Sequence, residues 1–467
     1  ESIVNKKFNP LQNFRPSQAK KTDSKVGAGC NTEGFSGQLI RTDPIGYRHN
    51  PDSYANQVSF NLNKNSPRSL NMHHLTSNSL KSESSPGSKG QTSTSIHNLA
   101  KVSSEGSGED EDLRTLEKTL TENNFEITSK LMETFKGKFQ VLASTQIGSR
   151  VLQKSISNTN IQILNTIAEE LIADINNVIL DKYANYFCQK LYPLIDLNLR
   201  LSILQNLDYI KAGKDETGTY PLQFIIENLS TQQEREIAIM KIKPIFEELT
   251  LDKFGSHIVE KSLVNVQYEV IKSLFEATIM ENFLKFSCDP NGIKVLKFYA
   301  VAVFNNNDQE EFEAKVFGNL KTIINSQYGN YLVQCIIENW PLKYSWKIVE
   351  NYHSKFTFLI TQKYSSNVVE KLLIKLENEL ANIIYEEISG NNKINELVKS
   401  HFAYFVVKRL LFYLSDDQKT KLINSIAKSV NKIKHQKNLE RWQTLIDNTR
   451  KGKKPSIHSK SSNNRAK

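Results

Sequence analysis

Cysteine is scarce in this chain of 467 residues. There are four, Cys30, Cys188, Cys288 and Cys335, far apart and without a CxxC pair. That spacing argues against a disulfide framework and a zinc module, and it suits a reducing compartment. No apolar run approaches the roughly 18 residues a membrane span needs, and no secretory signal is visible. No nucleotide-binding loop is credible: Gly106-Ser107-Gly108 stands in an acidic, aperiodic stretch with no strand before it. Neither a G-x-S-x-G elbow nor an HxxxH pair occurs, so the chain offers no catalytic or metal constellation and is expected not to be an enzyme and to need no cofactor. These absences fit an intracellular, soluble, binding protein. A first residue of Glu rather than Met suggests a piece of a longer one.

Charge is plentiful but uneven. Lys and Arg exceed Asp and Glu by 12 to 6 in residues 1–100 and by 11 to 2 in residues 431–467. Between those segments the balance reverses, 37 against 42, within a formal net charge of +10. A polyanion therefore has to bind a local stripe of the middle region, or the tails.

Three regions follow from composition. Residues 1–110 are rich in Ser, Asn, Lys and Gly, as in "KSESSPGSKGQTSTS", and bury too little apolar surface to offset chain entropy. They are expected to be disordered, with Ser66-Pro67 and Ser85-Pro86 as phosphorylation candidates and His73-His74 without a role. From about Leu113 apolar residues recur at three- and four-residue spacing in helical segments of 10–15 residues, with strand alternation nowhere sustained. The domain is placed at residues 111–449, flanked by capping helices, with a basic disordered tail over 450–467. "RKGKKP" at Arg450 reads as nonspecific phosphate attraction or a nuclear signal.

The middle repeats. "IGSRVLQK" at Ile147 recurs as "YANYFCQK" at Tyr183, "TGTYPLQF" at Thr217 and "FGSHIVEK" at Phe254. It continues as "NGIKVLKF" at Asn291, "YGNYLVQC" at Tyr328, "YSSNVVEK" at Tyr364 and "FAYFVVKR" at Phe402. The third residue of each octet steps by 36, 34, 37, 37, 37, 36 and 38 residues, through Ser149, Asn185, Thr219, Ser256, Ile293, Asn330, Ser366 and Tyr404. The fold class is therefore all-α, a solenoid of eight units.

Within a unit, three positions share one helical face. The first, such as Asn330, and the third, such as Gln334, are four apart; the second, such as Tyr331, neighbours both. The two residues between second and third are apolar in every unit, and are expected to face the stack. The polar triads are expected to face outward in a strip. A solvated face explains polarity there, but not the run of flat or cationic second residues: Arg150, Tyr186, Tyr220, His257, Lys294, Tyr331, Asn367 and Phe405. Such a file suits bases stacked between its members.

On "YGNYLVQ" and "SSNVVEK" the units resemble the repeats of the Pumilio family, and the chain is identified as a divergent, fungal-type member over residues 113–430. The resemblance implies a right-handed helical-repeat solenoid of eight Pumilio-type repeats that reads single-stranded RNA, one base per repeat. It also implies that first and third positions touch base edges while second positions stack. Ser256 with Glu260, and Ser366 with Glu370, then read guanine, because a carboxylate only accepts and guanine offers N1–H and N2–H. Asn185 with Gln189, and Asn330 with Gln334, read uracil. Ser149 with Gln153 suits adenine, and Thr219 with Gln223 acts similarly. Ile293 with Lys297, and Tyr404 with Lys408, lack such a pair. Pro221 is tolerable only in a first turn, so the third helix is expected to start near Tyr220, with Thr219 as an N-cap. Antiparallel docking, also implied by the resemblance, gives 5′-N-G-U-N-G-(A)-U-A, or an AU-rich preference in a divergent member.

The resemblance further implies action on mRNA 3′ untranslated regions in the cytoplasm, as a monomer, with deadenylation or translation-repression factors as partners. The rival expectations are a protein-binding scaffold with relic triads, and a shape-specific binder of structured RNA in ribosome assembly.

Overall fold

The structure is a computed structural model that describes residues 125–390 and 393–452, with 113–115, 117, 118 and 120 before them. All of these lie in one of two compact units of the chain, Glu83–Lys467. The region expected to be disordered, with its Ser-Pro dipeptides and His73-His74, and residues 453–467 of the basic tail lie outside the described residues. Among the described residues every regular element is helical, and none is long and apolar enough to cross a membrane.

Eight units follow one another, each built from three helices. The middle helix of each carries the repeated octet: Gln146–Ser155, Ala184–Leu191, Thr219–Glu227, Gly255–Val264, Gly292–Asn305, Gly329–Asn339, the first half of Ser365–Ile388, and Ala403–Tyr413. We call these the reading helices. An outer helix follows each, for example Gln232–Ile242 in unit three and Leu342–Asn351 in unit six. The pattern of 10–15-residue segments anticipates these two classes but not the third. A short helix precedes each reading helix, such as Phe246–Leu251 or Leu320–Ile324. At one to two turns it is too short to show an apolar period in the sequence.

Why the chain turns where it does is visible at the start of six of the eight reading helices. Asp181, Asp215, Asp252 and Asp289 each accept two backbone N–H bonds on one carboxylate oxygen, at 2.7–2.8 Å, from residues two and three places on. Ser326 and Ser400 do the same with a hydroxyl at 3.1–3.4 Å. These side chains satisfy N–H groups that a helix start leaves unpaired. A small residue then opens the reading helix because the short helix runs against it. A Cβ at Gly329 would lie 2.7 Å from the Ile323 carbonyl oxygen, and one at Gly292 would lie 2.6 Å from the Phe286 Cα.

Packing continues from unit to unit as one apolar core. The paired residues behind the triads are buried throughout: Val151-Leu152, Phe187-Cys188, Pro221-Leu222, Ile258-Val259, Val295-Leu296, Leu332-Val333, Val368-Val369 and Val406-Val407. Each fully buried aliphatic side chain contributes about 1.5–3 kcal/mol by removal from water. The buried thiols belong to this core; burial pushes Cys188 up to about 12 and Cys335 up to about 11, so neither is reactive.

Two features depart from the regular plan. In unit seven the reading and outer helices run together as Ser365–Ile388, broken only at Glu377, which has φ 48° and ψ −127°. At the end of the array the helix Gln436–Arg450 closes unit eight. Its Trp442 is fully buried and meets the ring of Tyr404 edge-on at 5.6 Å, and Asn438 Nδ2 donates to the Val398 carbonyl at 3.1 Å.

The outer helices carry one buried charge pair that no periodicity reveals. Glu234 of unit three is fully buried and accepts from Arg200 Nε of unit two at 2.8 Å and from the Tyr192 hydroxyl at 3.0 Å. Its other oxygen accepts from the backbone N–H and hydroxyl of both Ser230 and Thr231 at 2.8–3.0 Å, closing a capping box. Burial alone would raise this carboxyl; the hydrogen bonds of Thr231, Ser230 and Arg200 outweigh it and hold it at about 2.

Two outcomes test this packing. Glu234→Ala leaves Arg200 unpaired and lowers stability at neutral pH by about 3–5 kcal/mol in denaturant titration. The ionised carboxylate stabilises the fold fully above its ordinary 4.5, and this is lost as pH falls towards about 2. The gap between wild type and variant therefore narrows on acidification; a constant gap from pH 7 to pH 3 contradicts the assignment. Trp442→Ala costs about 3–5 kcal/mol. Nearest-neighbour stacking confines that loss to the end of the array, so hydrogen exchange accelerates over residues 403–450 and not in units two to six.

Candidate nucleic-acid interface

The eight reading helices present their triads in the same phase, but not all three positions face outward. First-position residues are buried: Ser149, Asn185, Thr219, Ser256, Asn330 and Ser366 are each at most 5% exposed. Third-position residues are half-buried, and the aromatic second residues stand clear, with Tyr186 58%, Tyr220 63%, Tyr331 49% and Phe405 48% exposed. The expectation of an outward first position is thus corrected. Its side chain sits at the back of the strip, because on the helix it neighbours i+3, the second residue of the buried apolar pair.

What the first position does is orient the third. Nε2 of Gln153 donates to Ser149 Oγ at 2.9 Å, that of Gln223 to Thr219 Oγ1 at 2.9 Å. In the two amide pairs, Gln189 donates to Asn185 Oδ1 at 3.2 Å and Gln334 to Asn330 Oδ1 at 2.8 Å. Each glutamine is held by one N–H, leaving the other N–H and the carbonyl oxygen to face the strip. The first-position groups are anchored in turn. Asn330 Nδ2 donates to the Ser326 and Gln327 carbonyls, both at 2.9 Å, and Asn185 Nδ2 to that of Asp181 at 2.7 Å. Ser149 Oγ reaches the Tyr183 carbonyl at 2.8 Å, bonding unit one to the next.

Thr219 is not an N-cap. The helix starts one residue earlier than expected, with Gly218 at the cap and Pro221 inside the first turn, where its missing N–H is harmless. The Thr219 hydroxyl lies 3.4 Å from the Phe254 carbonyl of unit four, the place that Ser149 takes against Tyr183 in unit two.

A cleft of about 300 Å³ opens between units one and two, lined by Gln146, Ser149, Arg150, Gln153, Tyr183 and Tyr186. Two successive second residues, Arg150 and Tyr186, line it together with the pair Ser149 and Gln153. Such a recess accepts a flat ring with polar edges.

The carboxylate units are built differently. Glu260 Oε2 lies 3.4 Å from His257 Nδ1, and Lys294 Nζ of unit five donates to Ser256 Oγ at 3.3 Å. Both second residues are half-buried, so His257 and Lys294 are turned into the strip rather than standing free like Tyr186 or Tyr220. Asn367 is exposed beside Ser366 and Glu370. Glu370 Oε1 accepts from Arg409 Nε at 3.3 Å and Nη2 at 3.1 Å. Arg409 follows Lys408, the triad's third position, and so lies outside the triad.

Units five and eight keep the apolar pair and lose the polar one for a visible reason. Ile293 is 5% exposed and joins the core, beside Lys297. Tyr404 is committed to Trp442, leaving Lys408 alone. Beyond Phe405 the file is extended by Arg441 of the closing helix, whose guanidinium lies 5.8 Å from the Phe405 ring centre. The amino-acid order gives no sign of Arg441's place, because its segment lacks the octet. Among the described residues no group of three or more His, Cys, Asp or Glu side chains is placed to hold a metal ion.

Known proteins carry the same units. Residues 138–172, 175–207, 246–278 and 322–351 match the model of the Pumilio-family RNA binding repeat, and residues 352–461 that of the NOP9-like PUF repeat domain. These matches fall on units one, two, four and six, and on units seven and eight with the closing helix. Pumilio homolog 12 of Arabidopsis thaliana is 24% identical over 307 residues, 64% of this chain and 51% of that protein. A Pumilio domain-containing protein of Schizosaccharomyces pombe is 23% identical over 295 residues, 62% of this chain and 43% of that protein. The chain thus spans about half the length of the curated relatives it matches. The Puf4 RNA binding domain, solved bound to an HO endonuclease RNA 3′ UTR recognition sequence, superposes with a TM-score of 0.58 at 22% identity, over 66% of this chain and 98% of that one. PUF-8 in complex with PBE-RNA gives 0.58 at 19% identity, over 68% and 94%. Repeat matches, relatives and fold agree with the geometry: the chain belongs to the Pumilio family.

Proposed function

We propose that the chain is a sequence-specific single-stranded RNA-binding protein that reads one base per intact unit. The observation that carries this reading is the fixed order of the four glutamine sites: an exposed second side chain, and beside it a third-position amide held by a buried first-position partner. A base entering between successive second residues meets an edge whose donors and acceptors are already oriented. Glu260 and Glu370 suit guanine, the amide pairs of units two and six suit uracil, and Ser149 with Gln153 suits adenine. The mildly acidic middle of the chain favours recognition of this kind over a general grip on phosphate. The structural neighbours solved with 3′ UTR sequences support messenger RNA as the ligand class. Regulation of mRNA decay, translation or localisation in the cytoplasm, by a monomer that recruits deadenylation or translation-repression factors, is the corresponding biological proposal.

A second reading has one specific observation behind it. The match of residues 352–461 to the NOP9-like domain favours a structured RNA, as in ribosome assembly, gripped by shape. Selection from a random RNA pool separates the two. The first reading expects a linear motif with G facing unit seven and U facing unit six; recovery of folded stems without a linear motif supports the second. A pool that yields no enrichment points to a protein-binding scaffold.

Two variants test the first reading directly. Glu370→Gln weakens binding to RNA with G facing unit seven by about 1–3 kcal/mol and changes binding little with other bases there; equal loss for all four bases refutes the code. Tyr331→Ala weakens binding by about 1–3 kcal/mol whatever base stands at unit six, as loss of a stacking surface should. Both are read by fluorescence anisotropy against RNAs carrying the selected motif.

A further inference from the structure

Units five and eight lack a base-edge pair, and they follow the two units whose third position is a glutamate. In both cases a cation crosses from the pairless unit to its neighbour. Lys294 of unit five donates to Ser256 Oγ of unit four at 3.3 Å. Arg409 of unit eight donates twice to Glu370 Oε1 of unit seven, at 3.3 and 3.1 Å.

Arg409's choice of partner follows from a missing carboxylate. The residue after the third position is Lys261 in unit four and Lys371 in unit seven. Each pairs with a glutamate of the preceding unit four places beyond its third position, Lys261 with Glu227 and Lys371 with Glu338. The corresponding place for Arg409 is Ile374, an exposed side chain. With no acceptor there, Arg409 turns to the reading carboxylate itself. Its side chain is 13% exposed and that of Glu370 30%, so the pair is partly shielded from solvent screening. Glu370 Oε2 keeps no hydrogen-bond partner among the described residues and remains available to the strip.

The chemistry of guanine gives this arrangement a use. A carboxylate satisfies N1–H and N2–H but leaves the acceptor O6 without a donor. Lysine and arginine are donor-only and suit O6 or N7. Adenine places an amino donor where guanine has O6, so a cation there opposes adenine while favouring guanine. We propose that Arg409 and Lys294 are specificity-determining residues of the unit-seven and unit-four sites, each supplying from the following unit the donor for guanine O6. The proposal rests on the guanine assignment of those units. It gives units five and eight a part in reading their neighbours' bases.

The test uses the whole chain and RNAs of the selected motif with each of the four bases facing unit seven. Arg409→Met removes the cation. Ile374→Glu offers Arg409 the partner that Lys371 and Lys261 have, and disturbs no buried group. Both are expected to lower the G-over-A preference at unit seven about tenfold, while the U preference at unit six stays as it was. Lys294→Met is expected to do the same at unit four. An unchanged G-over-A preference in both unit-seven variants, or an equal loss for all four bases, overturns the proposal. Glu370→Gln, measured alongside, separates the two failures. If it is blind to base identity, the guanine assignment itself falls; if it is base-specific while Arg409→Met and Ile374→Glu are not, only the cation's part falls.

Discussion

Everything on the candidate interface depends on the phase of the reading helices. Two buried apolar residues in each, such as Leu332 and Val333, fix that phase by packing into the stack. Adjacent residues on a helix are 100° apart, given 3.6 residues per turn. A slip of one place would bury Tyr331 and expose a core residue. The apolar pair thus aims the second position at solvent and the third across the strip, and leaves the first at the back. A polar triad on a helix without that pair would have no fixed direction.

The sites are joint products of neighbouring units. Ser149 bonds to the turn of unit two, Thr219 faces that of unit four, and cations of units five and eight touch the pairs before them. The cleft between Arg150 and Tyr186 has one wall from each of two units. On the other face, Arg200 and Glu234 join units two and three through buried charge. Energetics and recognition therefore share one nearest-neighbour logic, in which a unit is complete only when the next is stacked upon it.

Much of this is legible in the amino-acid order. The eight octets sit on eight reading helices because their spacing reflects a physical period, that of one stacked unit. The buried pairs are legible for the same reason. The depth of the first position is not, since Ser and Asn look equally suited to a surface; only the surrounding apolar neighbours bury Ser256 and Asn330. The short helices escape because five to seven residues hold less than two turns. In six of the eight units the boundary is nonetheless marked by Asp or Ser three places before the small residue, as at Asp252 and Gly255, a signal readable as turn chemistry. Arg409 and Arg441 act across units, and sequence distance says nothing of which neighbour a long side chain will choose.

The break at Glu377 has a mechanical meaning. In unit six Trp340 and Pro341 separate the reading helix from the outer one, and in unit four a segment of three residues does so. Such connections let one helix shift without moving the other. Unit seven has a single residue there, held at positive φ. The outer segment 378–388 is therefore joined to the helix of Ser366 and Glu370 by the shortest such connection among the described units.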